Sequence, residues 1–289
     1  MADWADRYWN SVDGLRLHYR DYAGPHERPP ILCLPGLTRN ARDFEPVAAR
    51  WAGDWRVICV EFRGRGDSEY DPHSEHYAPP VYAADVMKLL DQLGIADAVF
   101  FGTSLGGLVT MLMASTDAER IAGALLNDIG PELDQSGIDR IKGYVGKDTR
   151  FADWDEAVTV MSERNRDVYP NWNRDQWNDY VHRVCREEGS QIRFDYDMRI
   201  ADNFKPAPPS EASSAWPYYD ALKGRPVMIL RGARTDLLTE ATAERMVAEL
   251  DGDAELVTVP DVGHTPTFEE SESIAAVDRL LQRVLAKDA

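Results

Sequence analysis

Cysteine is scarce in this chain. Cys33, Cys59 and Cys185 are an odd number with no metal-type spacing among 289 residues. Two of them lie in the short apolar runs Ile31 to Leu34 and Val57 to Val60, where cysteine acts as a small hydrophobe. A reducing compartment, the cytoplasm, is the expected setting. Long apolar runs are missing, so no membrane span is expected. The opening Met-Ala-Asp-Trp-Ala-Asp-Arg has no apolar core of a secretory signal. Positive charge is also short, with 32 Lys and Arg against 50 Asp and Glu, a net −18. That excludes the clustered basic footprint of a nucleic-acid binder and disfavours an anionic membrane surface. The excess acid reads as a solvated surface that favours solubility. Internal repeats and low-complexity tracts are absent.

What is present is apolar mass for a sizeable core, 44% hydrophobic residues, in one large or two small domains. Leu15 to Tyr22 alternates apolar and polar and reads as a strand with one wet face. Ile31 to Leu34, Arg56 to Phe62, Ala98 to Phe101 and Ile121 to Leu126 read as strands buried on both faces. Helical spacing fills the gaps at Asp43 to Trp51, Pro79 to Leu93 and Leu105 to Ser115. This alternation predicts an α/β protein with a mostly parallel sheet flanked by helices. It stops at Glu132. From there to about Arg225 no strand-like apolar run occurs, and aromatic-rich helical patterns predict a helical insertion over the sheet. Pro206-Ala207-Pro208-Pro209-Ser210 near its end reads as a stiff linker. The rhythm resumes with a strand at Pro226 to Leu230, a helix from Glu240 to Leu250, a strand from Glu255 to Val259 and a helix from Ser271 to Leu285. The expected layout is a core in two parts, 1–131 and 226–289, with a cap at 132–225.

Gly102-Thr103-Ser104-Leu105-Gly106 sits between a predicted strand and helix, the spacing of a nucleophile elbow. A turn with a serine at its apex strains the backbone, and glycines two residues away on each side give it room. A serine hydroxyl is a weak nucleophile until a base takes its proton, so Ser104 requires a histidine. His18 lies in the first strand, His26 in a polar loop and His182 in the insertion. His73 and His76 form a His-x-x-His pair in a loop with no third ligand nearby, which reads as solvated loop and not as a metal site. His264 stands just beyond the last strand, where parallel sheets place their chemistry, and is the predicted base.

The base in turn needs a carboxylate to fix its tautomer. Asp236, after the strand Val227 to Leu230, is favoured over its rival Asp128, because its loop neighbours that of His264 in the expected sheet order. Two N–H donors are needed for the oxyanion. The backbone of Leu105 supplies one, and Leu37, in the loop Pro35-Gly36-Leu37, the other.

With Pro35-Gly36-Leu37-Thr38, Arg63-Gly64-Arg65-Gly66-Asp67-Ser68, the elbow, Asp236 and Gly263-His264 assembled, the chain resembles the α/β-hydrolase fold superfamily over nearly its whole length. The likeness falls in a serine esterase and lactonase-like branch with a helical cap. It departs from the usual pattern in Pro35, where a histidine is common, and in Glu61, where an aspartate is common. Ser104 sets it apart from the haloalkane dehalogenase-like and epoxide hydrolase-like members, which carry aspartate at the elbow. The resemblance implies a carboxylic ester or lactone hydrolase working through an acyl-enzyme on a small apolar substrate, without cofactor or metal. A slow-turnover small-molecule receptor, or an amide or carbon–carbon hydrolase using the same residues, is the alternative.

Overall fold

The computed structural model describes residues 2–203 and 214–287. In chain order, β1 (Trp4–Asn10), β2 (Arg16–Tyr22) and β3 (Ile31–Leu34) lead to α1 (Glu45–Trp51), β4 (Val57–Val60), α2 (Pro79–Leu93), β5 (Ala98–Thr103), α3 (Leu105–Thr116) and β6 (Ile121–Asn127). An insertion follows with α4 (Gln135–Lys142), β7 (Arg150–Phe151), α5 (Trp154–Arg164), α6 (Arg174–Val184), β8 (Cys185–Glu188) and β9 (Gln191–Phe194). The chain closes through α7 (Trp216–Asp220), β10 (Val227–Gly232), α8 (Glu240–Glu249), β11 (Ala254–Val259) and α9 (Ser271–Lys287).

Eight strands form the main sheet in the order β1-β2-β4-β3-β5-β6-β10-β11. The first two pair antiparallel, β2 is antiparallel to β4, and every pairing beyond is parallel. Alternating residues of one strand serve opposite cores. Leu32 and Leu34 of β3 face one apolar cluster with α2, α3 and α8, while Ile31 and Cys33 face the other with α1 and α9. Burial on both faces is why these strands read as continuous apolar runs. Helix α2 begins on Pro79-Pro80, where missing N–H groups cost nothing, and ends at Gly94 in the left-handed region (φ 64°). No helix among the described residues is long and apolar enough to cross a membrane.

Three features depart from the sequence reading. Strand β1 was not anticipated, because six of its seven side chains are wholly or partly exposed and it lacks an apolar stripe. The insertion is not purely helical, for β7, β9 and β8 form a three-stranded sheet. Strands β8 and β9 make a hairpin through Gly189-Ser190, with Gly189 at φ 63°. Their sequences, Cys-Arg-Glu-Glu and Gln-Ile-Arg-Phe, are too polar to show an apolar run. Finally, α7 packs on α3, and Trp216, Tyr219 and Leu222 join the main core, so the chain re-enters that core before residue 225. The remainder of the insertion has an apolar cluster of its own around Phe151, Val158, Trp177 and Val181. The Pro206 to Ser210 stretch lies outside the described residues.

Candidate active site

Strand β5 runs straight into α3 through Ser104, whose backbone sits at φ 50°, ψ −114°. A non-glycine residue in that region is strained, and here the strain lifts the hydroxyl out of the turn. The flanking glycines are sterically required. A Cβ on Gly102 would lie 2.6 Å from the Gly107 backbone, and one on Gly106 would lie 2.6 Å from the carbonyl carbon of Leu34. Strand, turn and helix are therefore pressed together at backbone distance, as the motif predicts.

The structure brings Ser104 and His264 together, with His264 Nε2 3.0 Å from Ser104 Oγ. The carboxylate that meets His264 is Asp128, not Asp236: Asp128 Oδ2 lies 2.7 Å from His264 Nδ1. An ionised carboxylate only accepts, so Nδ1 carries the proton and Nε2 is free to accept from the Ser104 hydroxyl. Asp128 follows β6 directly and turns at φ 56°. Its carboxylate is fully buried and accepts two further hydrogen bonds, from the Gly232 N–H (2.9 Å) and from Thr235 Oγ1 (2.6 Å). Three donors compensate the burial of its charge.

The geometry explains why Asp236 fails. To reach His264 after β11, a side chain at the end of β6 must pass over the end of β10. Gly232 stands there, and a Cβ on it would overlap the Val262 and Gly263 carbonyls. The loop after β10 does reach the site, but through Thr235. One residue on, Asp236 faces α4, where Arg140 grips it with Nε at 2.5 Å and Nη2 at 2.7 Å. Helix α4 comes that close because Gly137 presents no side chain to the Asp236 backbone. The Arg140 contact outweighs partial burial and holds the Asp236 carboxyl below its ordinary range. A depressed carboxyl contributes stability above its unfolded pKa and loses it as pH falls through the folded one. The stability difference between wild type and Asp236→Asn in urea unfolding should therefore be present at pH 7 and shrink below about pH 4. A difference that grew toward acid would exclude the pair as its source.

The loop carrying Leu37 runs beside the serine, since a Cβ on Gly36 would lie 3.8 Å from Ser104 Cβ. Arg65, fully buried, donates from Nε to the Leu37 carbonyl (2.9 Å) and from Nη1 to the Arg63 carbonyl and Tyr82. The Arg-Gly-rich stretch thus braces the loop that offers the Leu37 N–H. Leu105 opens α3, so its N–H is one of the four that a helix leaves without an internal partner. Glu61 accepts from the Ala41 and Asp67 N–H groups and meets His18 Nδ1 at 2.9 Å, tying the same two loops together. On the other side, Asn127 donates to the Pro266 carbonyl (2.9 Å), and Tyr169 Oη donates to that of Thr265 (2.8 Å). The His264 loop is thereby clamped by both core and insertion.

Thr235, Gly232, Arg65 and Tyr169 escaped the sequence reading. Arg65 lies inside the Arg-Gly-rich stretch and Thr235 directly precedes Asp236; Tyr169 has no signal beyond being one aromatic among many. His76 meets Asp71 at 3.0 Å, but Asp71 and Asp13 are both engaged by the buried Arg63 guanidinium. A bound arginine already neutralises that acidic cluster.

Ser104 and His264 open into a cavity of about 440 Å³ between sheet and insertion. Tyr144, Tyr169, Trp172, Tyr180 and Phe194 give it an aromatic wall. That size and lining suit a small organic molecule.

A strained serine on a strand–helix turn, a histidine beyond the last strand and a doubly wound sheet define an α/β hydrolase. The chain belongs to the alpha/beta hydrolase family, whose model matches residues 31–277. It is similar to a crystal structure of an alpha/beta hydrolase from Novosphingobium aromaticivorans, at 51% identity and a TM-score of 0.93, covering 98% of this chain and 99% of that one. A 3-hydroxybutyrate-oligomer hydrolase of Cupriavidus necator is 33% identical, covering 90% of each chain. A 2-(acetamidomethylene)succinate hydrolase of Mesorhizobium japonicum is 26% identical, covering 82% of this chain and 81% of its own. Both of these relatives are hydrolases.

Proposed function

We propose that this protein is a serine hydrolase that cleaves the carboxylic ester of a small molecule through an acyl-enzyme. The observation that carries the reading is the hydrogen-bonded chain from Ser104 through His264 to Asp128 at the floor of an aromatic-walled cavity. In this mechanism Ser104 Oγ attacks the ester carbonyl while His264 Nε2 takes its proton. Asp128 stabilises the imidazolium that forms. The oxyanion is received by the N–H groups of Leu105 and Leu37, each such donor supplying about 10²–10³ in rate. His264 then returns the proton to the leaving alcohol, and a water activated by the same base releases the acid. The insertion roofs the acyl and alcohol groups with its aromatic side chains. An ester is preferred over an amide because the relative with the higher identity acts on an oligomer of a hydroxy acid, whose units are joined by esters.

The test is covalent trapping joined to turnover. A fluorophosphonate should add once, on the peptide bearing Ser104, and Ser104→Ala should take up none. A panel of short esters, lactones and amides should show sustained turnover fastest on an ester. Labelling without turnover on any of them would point to a receptor instead, and labelling elsewhere would overturn the reading.

A further inference from the structure

The charge lining the cavity opposes the charge of the molecule. The chain carries −18, yet the cavity is bordered by Arg39, Arg140, Lys147, Arg164 and Arg183, and among the described residues that line it Asp43 is the one acid. Three of the cations are already committed. Arg39 is held in a bidentate pair by Asp43 and lies over the Tyr180 ring, Arg140 holds Asp236, and Arg183 reaches Glu269 at 3.2 Å. Lys147 and Arg164 differ. Their side chains make no hydrogen bond or ion pair among the described residues, and both stand at the exposed rim of the cavity. Lys147 lies on the segment between α4 and β7, and Arg164 ends α5, so two separate elements of the insertion each present to the same opening a cation unpaired among the described residues.

Resting on the serine-hydrolase reading above, we propose that Lys147 and Arg164 bind a carboxylate carried by the substrate at the end remote from its scissile ester. One guanidinium fork and one ammonium suit a single carboxylate, the fork taking its two oxygens and the ammonium adding a point charge. The acidic surface elsewhere repels such an anion, so the rim is also where its approach is favoured. The substrate class is therefore an ester with an apolar body that sits against the aromatic wall and a free acid that stays at the mouth, still partly in water.

The experiment compares matched esters that differ only in that charge. One pair is p-nitrophenyl hydrogen adipate and its methyl-capped diester. The other is γ-acetoxybutyrate and its N-methylamide. The wild type should favour the free acid in at least one pair by about tenfold in kcat/KM, the scale of a partly exposed charge-assisted contact. Raising the salt should shrink that ratio. In the Lys147→Ala, Arg164→Ala double variant the ratio should fall close to one. Lys88→Ala, which removes an exposed lysine of α2 outside the cavity, should leave it as it was. Because the ratio compares two substrates on one protein, a partial loss of folded material cancels. No preference for the acid in either pair, or a preference that survives the double variant, overturns the assignment while leaving the hydrolase reading standing. If the wild type cleaves neither form of either ester, the ester-hydrolase reading itself falls.

Discussion

Asp128→Asn should lower kcat by about 10⁴-fold with the fold intact. The substitution keeps size and shape, but it reverses one hydrogen bond. The Gly232 N–H holds the acceptor at the Oδ1 position, so the new amide nitrogen takes the Oδ2 position, 2.7 Å from His264 Nδ1. An amide nitrogen donates, so Nδ1 must now accept and the ring proton moves to Nε2. That nitrogen faces Ser104 Oγ at 3.0 Å and can no longer take its proton. Asp236→Asn should instead cost kcat less than about tenfold, because its carboxylate meets Arg140 and not the imidazole. Steady-state rates on a reactive ester, with circular dichroism to confirm folding, decide between them. A nearly active Asp128→Asn beside an inactive Asp236→Asn would return the role to Asp236.

Gly106→Ala should destabilise the protein by about 3 kcal/mol or more, the upper range for inserting one methyl into a packed site. Gly106 lies in the first turn of α3, two residues beyond Ser104, and its missing Cβ is where the Leu34 carbonyl of β3 passes. The obstacle is backbone of a central strand, hydrogen-bonded in the ladder with β5, so it cannot swing aside as a side chain would. Helix and strand must separate, which also drags the elbow away from the Leu37 loop. A fall in Tm of roughly 6–12 °C is expected for a chain of this size, with activity lost well below the new Tm. An unchanged Tm would show that α3 can shift without cost and that the close approach is dispensable.

Much of this site was open to reading in the amino-acid order because its chemistry is local. The Gly-x-Ser-x-Gly spacing is a steric requirement of one turn, and it stands wherever that turn is made. Continuous apolar strands and amphipathic helices specify a covered parallel sheet, and such a sheet puts the loop bearing His264 at its C-terminal edge. Strand β3 and helix α2 have the limits that their flanking prolines and glycine announce. By contrast, β1 and the small sheet of the insertion have mixed polar sequences that carry no period of their own, although β1–β2 and β8–β9 pair with their chain neighbours.

The choice of carboxylate shows where that legibility ends. From sequence alone, the strand–helix alternation and the candidates Ser104 and His264 followed from local spacing and burial pattern. Asp128 and Asp236 both lay at strand ends, and nothing within either stretch said which way its side chain turns. The tertiary structure decided it through two approaches between remote segments. The 262–263 backbone packs against Gly232, whose N–H holds the Asp128 carboxylate beside His264, and α4 closes on Asp236 to give it Arg140. A turn encoded by neighbours can be read from neighbours; a carboxylate's partner is set by whichever cation or ring the fold carries to it.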